Sequence, residues 1–289
     1  MKKELEQIIG QAAGTFGIAI KHLQTGEEVV INGKTFFPMA SVFKIPILAA
    51  LFAETDAQRM SLTDRVELET LDRVPGSGVL KELAPGVQMS VKDLATLMII
   101  ISDNMATDKL LQLIGIEKVQ SYVEKLGLQD LYICQSCWDM LAQCVNCDPS
   151  VKTVASYQQI SDLLNMKKMD MEKTVAKGSN VATVVAMNQL IEKIARNQVI
   201  SGQACEEMIG ILLKQQLNQR LPHLLPHTVK VAHKTGTIGN AINDAGIIFL
   251  PENKGTVIIS VFSIGNQSMD EGAETIAKIS KAAFDYFVQ

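Results

Sequence analysis

Strand-like segments cluster at the two ends of this 289-residue chain, so a sheet can form only if the termini come together. Near the start, Phe16 to Leu23 and Glu28 to Ile31, separated by Gln24-Thr25-Gly26, read as a β-hairpin. Near the end, Val229 to Lys234, Ala245 to Leu250 and Thr256 to Ile264 read as strands, with a turn over Pro251 to Gly255. From about 41 to 220 the apolar spacing is helical, clearest over Val91 to Ile101, Ala106 to Leu113, Asn188 to Arg196 and Gln203 to Lys214. Residues 2–13 read as a short amphipathic helix with Leu5, Ile8 and Ile9 on one side. The expected class is α/β (α+β in its segregation): an antiparallel sheet from both chain ends with flanking helices, plus an all-helical lobe. The α/β lobe takes approximately 1–38 and 221–289, the helical lobe approximately 39–220. A cleft between two such lobes is a common place for an active site.

Bulk properties exclude several classes of partner. The chain is 47% apolar and 20% charged, with a net charge of −4 and no basic block interleaved with aromatics, so nucleic acid is not expected. The apolar run Ile45 to Ala53 contains a proline and is far too short to span a bilayer, so no membrane segment is expected. Met1 to Gly14 carries Glu4 and Glu6 and no apolar core, which does not read as a secretory signal. As written the chain reads as cytoplasmic; it is extracytoplasmic if a signal has been removed.

Three short strings carry chemistry together: Ser41-Val-Phe-Lys44, Ser102-Asp103-Asn104 and Lys234-Thr235-Gly236. Each alone is cheap, but in this order they supply a nucleophile, its base, a proton shuttle and an anion clamp. Ser41 and Lys44, three residues apart, lie about 300° round a helix, nearly on one face. A helix beginning near Ser41 would place the nucleophile at the positive end of its dipole, and Lys44 with a lowered pKa could take its proton. Ser102-Asp103-Asn104 falls where one helical run breaks and the next starts. Capping residues favour such a place; Asp103 would brace the turn, Ser102 relay protons and Asn104 contact a substrate amide. Lys234 and the hydroxyls of Thr235 and Thr237 would hold a substrate carboxylate, and Gly236 would let a ligand approach the strand backbone.

The combination resembles the class A β-lactamases and the penicillin-binding proteins. The likeness extends over roughly three quarters of the chain, including Phe37-Pro-Met-Ala-Ser, Val91-Lys-Asp-Leu-Ala-Thr-Leu-Met and Asn243-Asp244-Ala245. It implies a serine hydrolase that opens a β-lactam amide through an acyl-enzyme on Ser41. It also implies an oxyanion hole from the N–H groups of Ser41 and Thr237, and Arg220 as a further carboxylate ligand. A D,D-peptidase-like enzyme and a slowly deacylating β-lactam receptor share the same apparatus. The expected partner is a small β-lactam or a D-Ala-D-Ala-type peptide, met by a monomer, and the chemistry requires no cofactor.

Departures from the family pattern fall on the deacylation step. The family resolves its acyl-enzyme with a glutamate on an Ω-shaped loop, in a W-E-P-x-L-N pattern. Here the counterpart is Trp138-Asp139-Met140-Leu141-Ala142-Gln143, which makes Asp139 the candidate base, one methylene shorter. Asp108 stands where the family has an asparagine. The segment over approximately 129–183 is enlarged, with an extra helix over Val154 to Leu164, and Asp148, Asp170 and Glu172 are rival bases. It also holds Cys134, Cys137, Cys144 and Cys147 in a C-x2-C-x6-C-x2-C spacing. Four thiolates at that spacing suit a structural zinc; buried reduced thiols and a disulfide are the other readings. His233 next to Lys234 would point to the opposite face of its strand.

Overall fold

The computed structural model describes residues 1–289. In chain order the elements are α1 (Lys2–Gly10), β1 (Thr15–His22), β2 (Glu28–Ile31), β3 (Phe37–Pro38), α2 (Lys44–Asp56), β4 (Arg65–Leu68) and β5 (Val87–Ser90). Then follow α3 (Val91–Ile100), α4 (Asn104–Ile114), α5 (Ile116–Lys125), α6 (Cys137–Cys144), α7 (Val154–Asn165), β6 (Val181–Ala182) and α8 (Val184–Ala195). The chain closes with α9 (Gly202–Leu212), β7 (Lys230–Ile238), β8 (Ala241–Phe249), β9 (Thr256–Ile264) and α10 (Met269–Val288).

The termini do meet. β1 pairs antiparallel with β9 from Thr15↔Ile264 to His22↔Val257, and the five-stranded sheet runs β2-β1-β9-β8-β7. Strand alternation divides its apolar residues between two faces. Phe16, Ile18, Ile20, Val257, Ile259 and Val261 pack with Leu5 of α1 and Ile276 and Ile279 of α10. Ala19, Ala245, Ile247, Ile258 and Phe262 instead join a core that continues through α8 into α2, α3 and α4. One face therefore belongs to the terminal helices, and the other shares its core with the helical part.

Two boundaries move relative to the sequence reading. β7 continues through the Lys234-Thr235-Gly236 motif to Ile238, and β8 begins at Ala241. Apolar periodicity stops short there because buried polar residues occupy the strand positions, each with a bonding partner. α8, counted with the helical stretch, packs directly on β1, β8 and β9. No helix is long and apolar enough to cross a membrane.

Candidate active site

Ser41 is the second residue of a 3-10 turn, Ala40–Phe43, that feeds into α2 at Lys44, so the regular helix begins three residues after the expected nucleophile. Pro46 falls in the first turn of α2, where a missing N–H costs little. Ala40 has φ +45°, a strained value for a residue with a Cβ. The strain is held by long-range bonds on the residues before it. Asn243 donates from Nδ2 to the carbonyls of Pro38 (2.7 Å) and Met39 (3.1 Å), and Met39 N–H donates to Asn180 O at 3.0 Å. Gly236 lies against the same turn, where a Cβ would come 2.6 Å from Met39 O. The close approach that requires glycine is thus made by the Ser41 turn itself, rather than by a ligand.

Lys44 is fully buried, and its Nζ donates to Ser102 O (2.8 Å), Ser102 Oγ (3.1 Å) and Asn104 Oδ1 (2.8 Å). Ser102 adopts φ +59°, which breaks the chain between α3 and α4 and turns its carbonyl and hydroxyl toward the amine. Asp103 is the N-cap of α4: Oδ1 accepts from Ala106 N–H, while Oδ2 accepts from Val79 and Leu80 N–H. Asn104 Nδ2 donates to Pro75 O at 2.9 Å, so the loop around Gly76 closes over this side of the cluster.

β7 is an edge strand, and it carries Lys234, Thr235, Gly236 and Thr237. Lys234 is buried and donates from Nζ to Thr235 O at 2.7 Å. Thr237 is exposed, and its Oγ1 accepts from Arg220 Nη2. Arg220, buried, also donates from Nη1 to Gly236 O (2.7 Å) and Asn243 O (2.6 Å).

Burial dominates the electrostatics. Lys44 is held below its ordinary range by loss of solvent, partly opposed by Cys137, Asp103 and Asp108. Lys234 is held well below its range by burial and by the Lys44 charge. The charge on Lys44 thus disfavours protonation of Lys234, and burial lowers both amines. Two open cavities of about 730 and 590 Å³ lie elsewhere, one beside Phe52 and Glu207 and one beside His223 and His227; Ser41 lines neither.

The sequence profile of the Beta-lactamase enzyme family matches residues 1–287. The chain belongs to that family. Among curated relatives, β-lactamase VEB-1 of Pseudomonas aeruginosa is 27% identical, over 99% of this chain and 89% of its own. The extended-spectrum β-lactamase PER-1 of the same species is 23% identical over 99% of this chain and 87% of its own. A crystal structure of a β-lactamase from Sphaerobacter thermophilus superposes with TM-score 0.83 at 27% identity, covering 100% of this chain and 97% of that one. PBP-A shares the fold with TM-score 0.80 at 24% identity, covering 100% of this chain and 97% of that one.

The enlarged segment of this family member is where the sequence expectations need correcting. Asp139 does not join the Lys44 cluster. Its Oδ2 accepts from Ser136 Oγ (2.7 Å) and Ser136 N–H (3.1 Å), and Ser136 Oγ in turn accepts from Asp139 N–H, a capping box that starts α6. Gln143 is engaged by Gln135 at 2.6 Å. Asp148 binds Ser150, Asp170 caps a 3-10 turn, and Glu172 is exposed. The carboxylates with electrostatic influence on Lys44 are Asp103 and Asp108. Asp108 is buried and accepts Cys137 N–H (2.7 Å) and Trp138 N–H (2.9 Å), tying α6 to α4. From α6 it is the thiol of Cys137 that influences Lys44.

The expected zinc clamp is also corrected. Cys134, Cys137, Cys144 and Cys147 are free, and no three of them, with or without other donors, come together around a metal position. Cys137 and Cys144 stand at opposite ends of α6, and Cys134 is exposed while both of those are buried. Cys137 is packed toward Lys44 and Asp108, while Cys144 packs with Ala40, Ile238 and Ala241 beside Met140, Met169 and Met171. A helix between two ligand pairs separates what a flexible knuckle would gather.

Sequence reasoning missed Asn180, and it named Asn243 and Cys137 without the places they take beside the Ser41 turn and Lys44. Asn243 carried a signal: an Asn-Asp pair amid apolar strand residues implies buried polar groups with assigned partners.

Proposed function

We propose that this protein is a serine acyl-transfer enzyme of the penicillin-binding kind, which opens a β-lactam or D-alanyl amide at Ser41 and releases the acyl group slowly. The observation that carries the reading is the buried Lys44 amine on Ser102 and Asn104, with the Cys137 thiol beside it and Asp139 engaged elsewhere. Lys44 Nζ takes the proton of Ser41 Oγ as that oxygen bonds the carbonyl carbon. The N–H groups of Ser41 and Thr237 receive the oxyanion, and removing one such donor costs about 10²–10³ in rate. As the C–N bond breaks, the leaving nitrogen takes a proton from Ser102 Oγ, which is replenished from the Lys44 ammonium. Lys234, Thr235, Thr237 and Arg220 hold the substrate carboxylate, and Asn104 orients the acyl amide once its Nδ2 leaves Pro75 O. A PBP-A variant of this fold is known as an acyl-enzyme complex with penicillin G.

Efficient lactam hydrolysis is the second reading, favoured by VEB-1 and PER-1, both β-lactamases. It requires a carboxylate to activate water, and Asp108 is the one beside the thiol. Mixing the protein with a chromogenic cephalosporin and a penicillin, while following colour and intact mass, separates the two. A persistent single adduct on Ser41 is expected. Sustained colour with no adduct would establish hydrolysis, and no adduct without colour would end both readings.

A further inference from the structure

The chain just before β7 repeats a short string: Leu221-Pro222-His223 and, four residues on, Leu225-Pro226-His227. Both leucines are buried in the core that α1 and α10 share with the sheet. A proline after each leucine restricts the backbone, and each histidine that follows is exposed. Three turns fix the path of the segment. His223 N–H donates to Arg220 O (3.0 Å), Leu225 N–H to Pro222 O (3.0 Å) and Val229 N–H to Pro226 O (2.9 Å). Both Pro-His pairs line the cavity of about 590 Å³, together with the start of β7 and residues just after α9.

The polar part of that lining is one-sided. It holds two imidazoles, the exposed Lys230 and the carboxamides of Gln215 and Asn218, and it holds no carboxylate. Gln215 is committed elsewhere: its Nε2 donates to Ile99 O at 2.9 Å, and its Oε1 accepts Gln216 and Leu217 N–H, both at 3.0 Å. Asn218 Oδ1 lies 3.1 Å from His233 Nε2, which leaves the Asn218 Nδ2 as a donor. An imidazole carries an N–H in either protonation state, and a lysine head group carries donors only. Donors therefore come from two stretches, the Pro-His turns and β7, with no carboxylate in the lining to pair with them. Leu213, Leu225, Val229 and Val231 supply an apolar wall beside them. The volume falls in the range of small-molecule sites, about 300–1,000 Å³. We propose that this cavity is a second binding site, for a small amphiphilic anion: a carboxylate or phosphate head on a short apolar body. The head takes charge-assisted hydrogen bonds from Lys230 and the two imidazoles, and the body lies on the leucine and valine wall. Ser41, Lys44 and Lys234 are absent from the lining, so the site stands whether or not Ser41 acylates.

The chain has four histidines, so their ring signals can be followed one by one in an NMR titration at constant pH. His223→Gln and His227→Gln assign the two signals of interest; both side chains are exposed, so neither change opens the core. The probes are octanoate and octyl phosphate, with octanamide as the uncharged control and inorganic phosphate as the control without a body. Octanoate, octyl phosphate or both should shift the two signals saturably, with a dissociation constant of about 1 mM or tighter, and whichever binds identifies the head. The signal of His22, which stacks on Phe287 outside the cavity, should stay in place. Lys230→Glu should weaken binding by about tenfold or more, while Lys230→Arg should preserve it. Octanamide binding as tightly as octanoate would show that no anion is recognised. Inorganic phosphate binding as tightly as octyl phosphate would show that the apolar wall contributes nothing. Either result, shifts that rise without saturating, or an unmoved pair of signals would overturn the proposal.

Discussion

Lys44 and Asp139 both stand near the start of a helix, but their hydrogen bonds reach over very different lengths of chain. Lys44 bonds residues 58 and 60 positions away, across the break between α3 and α4. Asp139 bonds Ser136, three positions away, and closes its own turn. The first arrangement cannot exist without the tertiary fold, and it concentrates buried polar groups from distant segments on one point. The second satisfies helix-end N–H groups locally, as ordinary caps do. The half of the site proposed to form an acyl-enzyme has the long-range character; the segment expected to hydrolyse it has the local one.

The sharpest way to break this contrast is to remove the amine. Lys44→Ala should slow Ser41 acylation by about 10²–10⁴, the range for a positioned general base, with the rate read by intact mass against a penicillin. A loss under tenfold would show that the buried lysine is a structural brace. Next in size is an attempt to give the enlarged segment what it lacks. Cys137→Asp places a carboxylate beside Lys44. Deacylation should accelerate by roughly tenfold or more if that carboxylate activates water. Acylation at neutral pH should slow, because an anion near Lys44 favours its protonated form. Decay of the adduct after removal of free penicillin measures the first effect, and the initial labelling rate the second.

The same contrast explains how much was legible beforehand. The sheet, its closure by both termini and the three motifs follow from patterns of period two and from short strings, which are local properties. The ends of β7 and β8 did not follow, because His233, Asn243 and Asp244 interrupt the apolar pattern while remaining in the sheet. Their burial is permitted by partners on Asn218, Ser263, Pro38 and Leu221, none of them sequence neighbours. The place of Asp139 was not legible for the converse reason. It aligns with the family's glutamate, but Ser136 three residues earlier makes a capping box, and that local signal was present in Ser136-Cys-Trp-Asp139 all along. The cysteine spacing misled similarly, since metal motifs presuppose a knuckle and the intervening residues form α6.

Asp108 joins the two regions, and a smaller effect should expose it. Burial holds its carboxyl above the ordinary aspartate range, so the folded protein binds this proton more readily than the unfolded chain does. The folded state then carries more protons between the ordinary value and the raised one, and this group's contribution to stability falls as pH rises through that window. Below the window the contribution is constant. In Asp108→Asn that slope should vanish, so wild type should gain on the variant as pH is lowered from neutral toward the ordinary aspartate range. Urea denaturation of both proteins at several pH values checks it, and parallel pH profiles would mean that Asp108 is not a titrating buried acid.

The smallest effect belongs to the residue that the family pattern singled out. Asp139→Ala removes the carboxylate that closes the α6 capping box, for which the usual cost is about 0.5–2 kcal/mol. In a chain of this length that corresponds to a fall of only a few degrees in Tm. Asp139→Asn retains an amide able to bond Ser136 and should cost less still. Neither change touches the Lys44 cluster, so the lifetime of a penicillin adduct on Ser41 should be the same in both variants as in wild type. A lifetime lengthened tenfold by Asp139→Asn, with Tm held, would return the carboxylate to the chemistry.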